Sequence, residues 1–103
     1  MNDMAGALSD EFETWLTAYD TMYAALPARG ETPCPDCGEP ALHLVFTGEP
    51  ATRRAYAQLW CDRCVRGIHL SQTLAPAGVP MNDYRVPREE HRHQTPDFTL
   101  IQP

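Results

Sequence analysis

The chain has no lysine; all eight of its basic residues are arginine. A phosphate loop of the G-x-x-x-x-G-K type is therefore excluded. Basic residues are also few, 8 against 14 acidic ones for a net charge of −6, which excludes a globally basic nucleic-acid binder. No apolar run approaches the ~18 residues that a membrane-spanning helix needs. Met1-Asn2-Asp3-Met4-Ala5-Gly6 offers neither a basic nor an apolar region, so no secretory signal is expected. Ser9 and Ser71 lack a G-x-S-x-G setting, so catalysis by a serine nucleophile has no support. At 103 residues the chain is too short for a multidomain enzyme and suits one domain, or one small domain with appendages.

Proline is abundant, at ten residues about twice the average share. Plentiful Ala, Arg, Pro and Gly without lysine resembles the coding bias of a GC-rich genome, so a bacterial, cytoplasmic protein is expected. The charge is uneven: residues 1–31 carry −5, residues 32–74 are neutral and residues 75–103 carry −1. The acidic first third is repelled by a phosphate backbone and suits a basic protein surface.

The spacing predicts a helix over Ser9–Leu26. Leu8, Phe12, Trp15, Leu16, Tyr19, Met22, Tyr23 and Leu26 recur at three- and four-residue steps and form one stripe. Ser9 or Asp10 can cap its start, Asp10 with Glu13 has capping-box spacing, and Pro27 and Gly30 end it. The stripe around Phe12, Trp15 and Tyr19 either packs on the rest of the chain or docks a protein partner. Strands follow. Ala41–Thr47 alternates, with Leu42, Leu44 and Phe46 facing one way and His43 and Val45 the other. Residues 47–52 read as a hairpin connection, Arg54–Trp60 as a second strand and Gly67–Leu74 as a third. Residues 75–96, rich in proline, read as an irregular excursion. Asp97–Ile101 is apolar enough to return to the body as a short edge strand.

The chemistry lies in the cysteines. Cys34-Pro35-Asp36-Cys37-Gly38 and Cys61-Asp62-Arg63-Cys64 form C-x2-C-x23-C-x2-C and use every cysteine in the chain. Two residues between cysteines let one tight turn aim both sulfurs at a point, and two such turns supply the four thiolates of a tetrahedral Zn2+ site. Pro35 presets φ in the first turn, and Gly38 supplies the positive φ that lets the chain leave it. Four thiolates around Zn2+ carry a formal charge of −2, which Arg63 and Arg66 either offset or ignore in favour of solvent. Disulfides, a redox pair and a rubredoxin-like iron are the alternatives. The first requires an oxidising compartment and the second a βαβ setting, neither of which the sequence supports.

These two cysteine knuckles, with a hairpin between them and a strand after, make residues 32–74 resemble a zinc ribbon. The first knuckle matches the family's Cys-Pro-x-Cys-Gly form. The second keeps the spacing but has no proline and no glycine straight after Cys64; Gly67 follows three residues after that cysteine. The resemblance implies one structural Zn2+ on Cys34, Cys37, Cys61 and Cys64, a closed site without catalysis. Transcript-cleavage ribbons carry an acidic pair at the hairpin tip; Glu49 stands alone here, so that activity is not carried over.

The expected fold is thus α+β: a small three-stranded antiparallel zinc ribbon with an N-terminal amphipathic helix (1–31) and a Pro-rich C-terminal extension (75–103), forming one compact domain. The expected function is a non-catalytic adaptor or regulator that binds another protein through the helix face or the tail, with no membrane. A nucleic-acid-associated ribbon is the second hypothesis, using Arg53, Arg54, Arg63 and Arg66 beside Tyr56 and Trp60. A rubredoxin-like iron protein is the third. Of the histidines, His43 and His69 lie on the non-core faces of strands, as neighbours or apart, while His91 and His93 stand beside Glu89 and Glu90, either as a second metal cluster or as solvated side chains.

Overall fold

The computed structural model describes residues 9–28 and 31–103. Leu8 and Gly30, assigned above to the helical stripe and its stop, lie outside the described residues. Helix α1 runs Asp10–Ala25. Ser9 alone supplies its side-chain cap, its hydroxyl accepting from the Phe12 amide at 3.1 Å, while three carboxylates in the first turn face the positive end of the helix dipole.

Strands β1 (Leu42–Gly48), β2 (Arg54–Cys61) and β3 (Arg66–Leu74) pair antiparallel in sequence order. The expected three-stranded antiparallel ribbon is nevertheless incorrect. The fold is still α+β, but the sheet is five-stranded and mixed. A two-residue β4 (Asn82–Asp83) lies parallel to β1, and a two-residue β5 (Thr99–Leu100) lies parallel to β3, giving the order β4-β1-β2-β3-β5. The physical reason is the edges: an exposed strand presents unpaired N–H and C=O groups, and the proline-rich tail satisfies part of each edge. Between β4 and β5 lies a 3-10 turn, Arg88–Glu90.

Period-two alternation divides the sheet into two faces. Leu42, Phe46, Ala57, Leu59, Cys61 and Ile68 join Phe12, Trp15, Ala18, Tyr19 and Met22 of α1 in one buried cluster, which also takes Ala75, Val79 and Ile101 from the tail. Phe12, Trp15 and Tyr19 are 5%, 0% and 6% exposed, so the face proposed above for a protein partner is spent on the chain's own sheet. Truncating a buried tryptophan of this kind costs about 3–5 kcal/mol. The Trp15 indole N–H has no hydrogen-bond partner among the described residues, a local cost that the apolar contacts outweigh. Two tyrosines fix the helix lengthwise: Tyr19 Oη lies 2.9 Å from Thr73 Oγ1, and Tyr23 Oη donates to the Leu74 carbonyl at 2.6 Å.

The opposite face carries His43, Val45, Thr47, Tyr56, Gln58, Trp60 and His69, and the tail crosses it. Asn82, 4% exposed, fastens the crossing. Its amide nitrogen donates to Thr47 Oγ1 (3.3 Å) and to the His93 carbonyl (2.9 Å), and its oxygen accepts from the His93 amide (3.1 Å). Phe98 then stacks on Trp60, with ring planes 9° apart. Arg53 holds the start of the tail. Its guanidinium donates to the carbonyls of Ala75 (3.2 Å), Pro76 (2.7 Å) and Val79. Residues 75–96 are irregular apart from β4 and the 3-10 turn, and these hydrogen bonds anchor them to the sheet.

Candidate metal centre

The two cysteine knuckles meet at one end of the sheet. Cys61 is the last residue of β2, paired with Leu42 on one side and Arg66 on the other. Asp62 follows it, and its amide donates to the Ala41 carbonyl at 3.0 Å, which brings the second knuckle against the chain leaving the first. The first knuckle closes on itself through Cys34 N to the Glu39 carbonyl at 2.9 Å.

Both knuckles use the same internal bonds. Gly38 N donates to the Cys34 carbonyl and Val65 N to the Cys61 carbonyl, each at 2.8 Å. Amides then turn toward sulfur: Asp36 N to Cys34 Sγ (3.3 Å), Arg63 N to Cys61 Sγ (3.3 Å) and Cys64 N to Cys61 Sγ (3.4 Å). Gly38 has φ of 77°, as its type favours; Val65 takes φ of 54° at the equivalent place. A β-branched residue in the left-handed region is a genuine outlier, held there by its surroundings at about 1–3 kcal/mol. The late glycine, Gly67, serves another purpose. In β3 a Cβ there would stand 2.1 Å from the Leu59 carbonyl oxygen and 2.8 Å from Trp60 Cβ.

All four sulfurs lie within 4.8 Å of one another. Cys34 Sγ is 3.8 Å from Cys64 Sγ, and Cys37 Sγ is 3.7 Å from Cys61 Sγ. A tetrahedral ion with metal–sulfur bonds of about 2.3 Å requires sulfur–sulfur edges of about 3.8 Å. The cysteines are free, with separations nearly twice a disulfide's ~2.05 Å. Cys34 and Cys61 are buried, Cys64 is half-buried and Cys37 is exposed, so the quartet is sunk on one side and open to solvent on the other. The thiols differ as acids. A backbone hydrogen bond at Glu39 draws Cys37 below the usual thiol value; burial pushes Cys34 up; hydrogen bonding to Cys37 pushes Cys64 up to about 12. Metal binding at such a quartet requires the thiolate forms and so releases protons.

The neighbours of the quartet differ from expectation. Arg66 does not simply face solvent: one nitrogen pairs with Asp36 in the first knuckle and another with Glu11 of α1, both at 2.5 Å. Asp62 was not singled out from the sequence, where a carboxylate between two cysteines has no distinctive pattern. Its two oxygens take His43 Nε2 at 2.6 Å and the Trp60 indole N–H at 3.1 Å, and His43 stacks on Trp60. His43 and His69 do not adjoin, because β2 separates their strands. Among the described residues the four cysteines are the one group that could hold a metal ion; Glu89, Glu90, His91 and His93 do not converge. Of the residues considered for a basic and aromatic face, Arg53 and Arg66 bond within the chain and Trp60 is 4% exposed.

The chain matches no family model, no curated protein and no solved structure. No helix among the described residues is long and apolar enough to cross a membrane.

Proposed function

We propose that the chain is a non-catalytic zinc-ribbon protein, holding one structural Zn2+ on Cys34, Cys37, Cys61 and Cys64 and serving as an adaptor or regulator that binds another protein. The separation of the sulfurs carries the reading: two edges of 3.7 and 3.8 Å fit a tetrahedral thiolate site. Four protein ligands fill the coordination shell, so no position is left for substrate, and the ion's contribution is to fix geometry. Zinc binding at such sites contributes on the order of 10–16 kcal/mol, against a net stability of ~5–15 kcal/mol for a domain this size. With α1 packed inward, the contact for a partner falls to the tail, where Tyr84 is 58% and Val86 37% exposed.

Elemental analysis of protein purified under reducing conditions tests the metal reading. One zinc per chain in a colourless sample supports it; a coloured, iron-loaded sample or metal-free protein overturns it. For the adaptor role, a protein that co-purifies from the native cell should be lost with Tyr84→Ala while metal content stays unchanged. Salt-sensitive binding to single-stranded nucleic acid, abolished by Arg54→Ala and Arg63→Ala, would instead favour the nucleic-acid reading.

A further inference from the structure

A second site lies on the face of the sheet that α1 does not cover. Between that face and the tail is a cavity of about 220 Å³. Thr47, Tyr56, Gln58 and His69 form its sheet wall, with Arg88 and His91 opposite. By volume it holds about seven waters, below the ~300–1,000 Å³ of drug-sized pockets.

Its chemistry is one-sided. In a chain of net charge −6, no carboxylate lines this cavity among the described residues, whereas an arginine and two histidines do. Several of the polar groups have bonding capacity left. Thr47 is 2% exposed and its hydroxyl accepts from Asn82, which leaves its own proton to donate. Arg88 uses one terminal nitrogen on the Thr95 carbonyl (3.1 Å) and on Asp97 (3.3 Å), a carboxylate whose side chain is 98% exposed. Its remaining N–H groups are left for another acceptor. His91 places Nε2 at 2.9 Å from the Val86 carbonyl, and the rings of His69 and Tyr56 lie 5.1 Å apart with a 30° tilt. Donors thus stand on two opposed walls, so a ligand with oxygens on several sides satisfies more of them than a planar carboxylate does.

We propose that this cavity binds a small phosphoryl group, either inorganic phosphate or a phosphomonoester of a few carbons. Arg88 supplies the fixed cation and the donor fork that suits phosphate oxygens. Thr47, Tyr56, Gln58 and His69 donate from the sheet, and His91 closes the tail side. Because the tail forms half the walls, an occupied cavity holds the tail against the sheet. The proposal is independent of the metal reading, since no lining residue is a cysteine.

The test is a nuclear magnetic resonance titration of the intact chain with inorganic phosphate and with glycerol phosphate, at ionic strength held constant by sodium chloride. Saturable shifts confined to Gln58, His69, His91 and the Arg88 side chain are expected, with affinity falling about tenfold or more in Arg88→Gln. If Arg88→Gln loosens the tail, His69→Gln serves in its place: among the described residues His69 makes no side-chain hydrogen bond to the tail, and an affinity loss of several-fold is expected there. Shifts that never saturate, equal shifts at Arg54 and Arg63, or unchanged affinity in both variants would overturn the proposal. Acetate binding as tightly as phosphate would overturn the phosphoryl assignment. Saturation by phosphate but not by glycerol phosphate identifies the free ion as ligand; the reverse identifies the monoester.

Discussion

The first knuckle, Cys34–Cys37, is a loop that precedes the sheet; the second, Cys61–Cys64, is the turn that joins β2 to β3. Their spacing and closing hydrogen bonds agree, yet the residue after the last cysteine is Gly38 in one and Val65 in the other, and both have positive φ. The loop is not flanked by paired strands, so its exit relies on local backbone preference at Gly38. The turn is constrained from outside: β2 and β3 pair on either side of it, Asp62 N is held by the Ala41 carbonyl, and the Val65 carbonyl accepts the Thr99 amide at 2.9 Å. A left-handed valine is tolerated where the surrounding sheet over-determines the backbone. The full Cys-Pro-x-Cys-Gly form is thus needed only where the knuckle must shape itself.

The largest effect should come from removing the ion that the two knuckles are proposed to share. Chelation, or Cys61→Ser at the fully buried sulfur, should abolish cooperative thermal unfolding and disorder the β2–β3 turn. Cys37→Ser at the exposed sulfur should retain more strand signal by circular dichroism. Equal behaviour of the two serine variants would erase the distinction between an embedded and a free-standing knuckle. Gly67→Ala should cost about 3 kcal/mol or more in denaturant unfolding, because the added methyl collides with backbone rather than with a movable side chain.

Smaller and opposite effects should separate the two left-handed positions. Gly38→Ala should destabilise by about 1–2 kcal/mol, since space is open around it but the conformation is strained. Val65→Gly should stabilise by up to about 1 kcal/mol, relieved strain exceeding the extra entropy lost. A destabilising Val65→Gly would mean that the valine side chain, 44% exposed, does more than the backbone argument allows. The least effect belongs to Arg66→Gln. Its pairs with Glu11 and Asp36 are partly exposed and screened, so the change in melting temperature should be slight and should vanish in high salt.

Periodicity made α1 and the three central strands readable from the sequence, and spacing made the four cysteines readable, because each pattern repeats over enough residues to be distinctive. Residues 82–83 and 99–100 are too short for alternation to show, and their parallel pairing depends on edges that exist only after the sheet has formed. The apolar return at Asp97–Ile101 was visible as an edge strand; the pairing of Asn82 was not, since its side chain acts through Thr47 and His93, far off in sequence. Arg53 reads from the sequence only as part of a basic and aromatic face, because its three carbonyl partners lie 22 to 26 residues away. Val65 was passed over because left-handed backbone is normally marked by glycine or asparagine.

The two tryptophans stand on opposite sides of the sheet, Trp15 fully buried with no hydrogen-bond partner among the described residues, Trp60 bonded to a carboxylate and stacked with His43 and Phe98. Their fluorescence should therefore differ in colour, Trp15 emitting to the blue, so that single-tryptophan variants become built-in gauges. One would report helix detachment and the other lifting of the tail, letting the order in which the two coverings come away be timed without any attached dye.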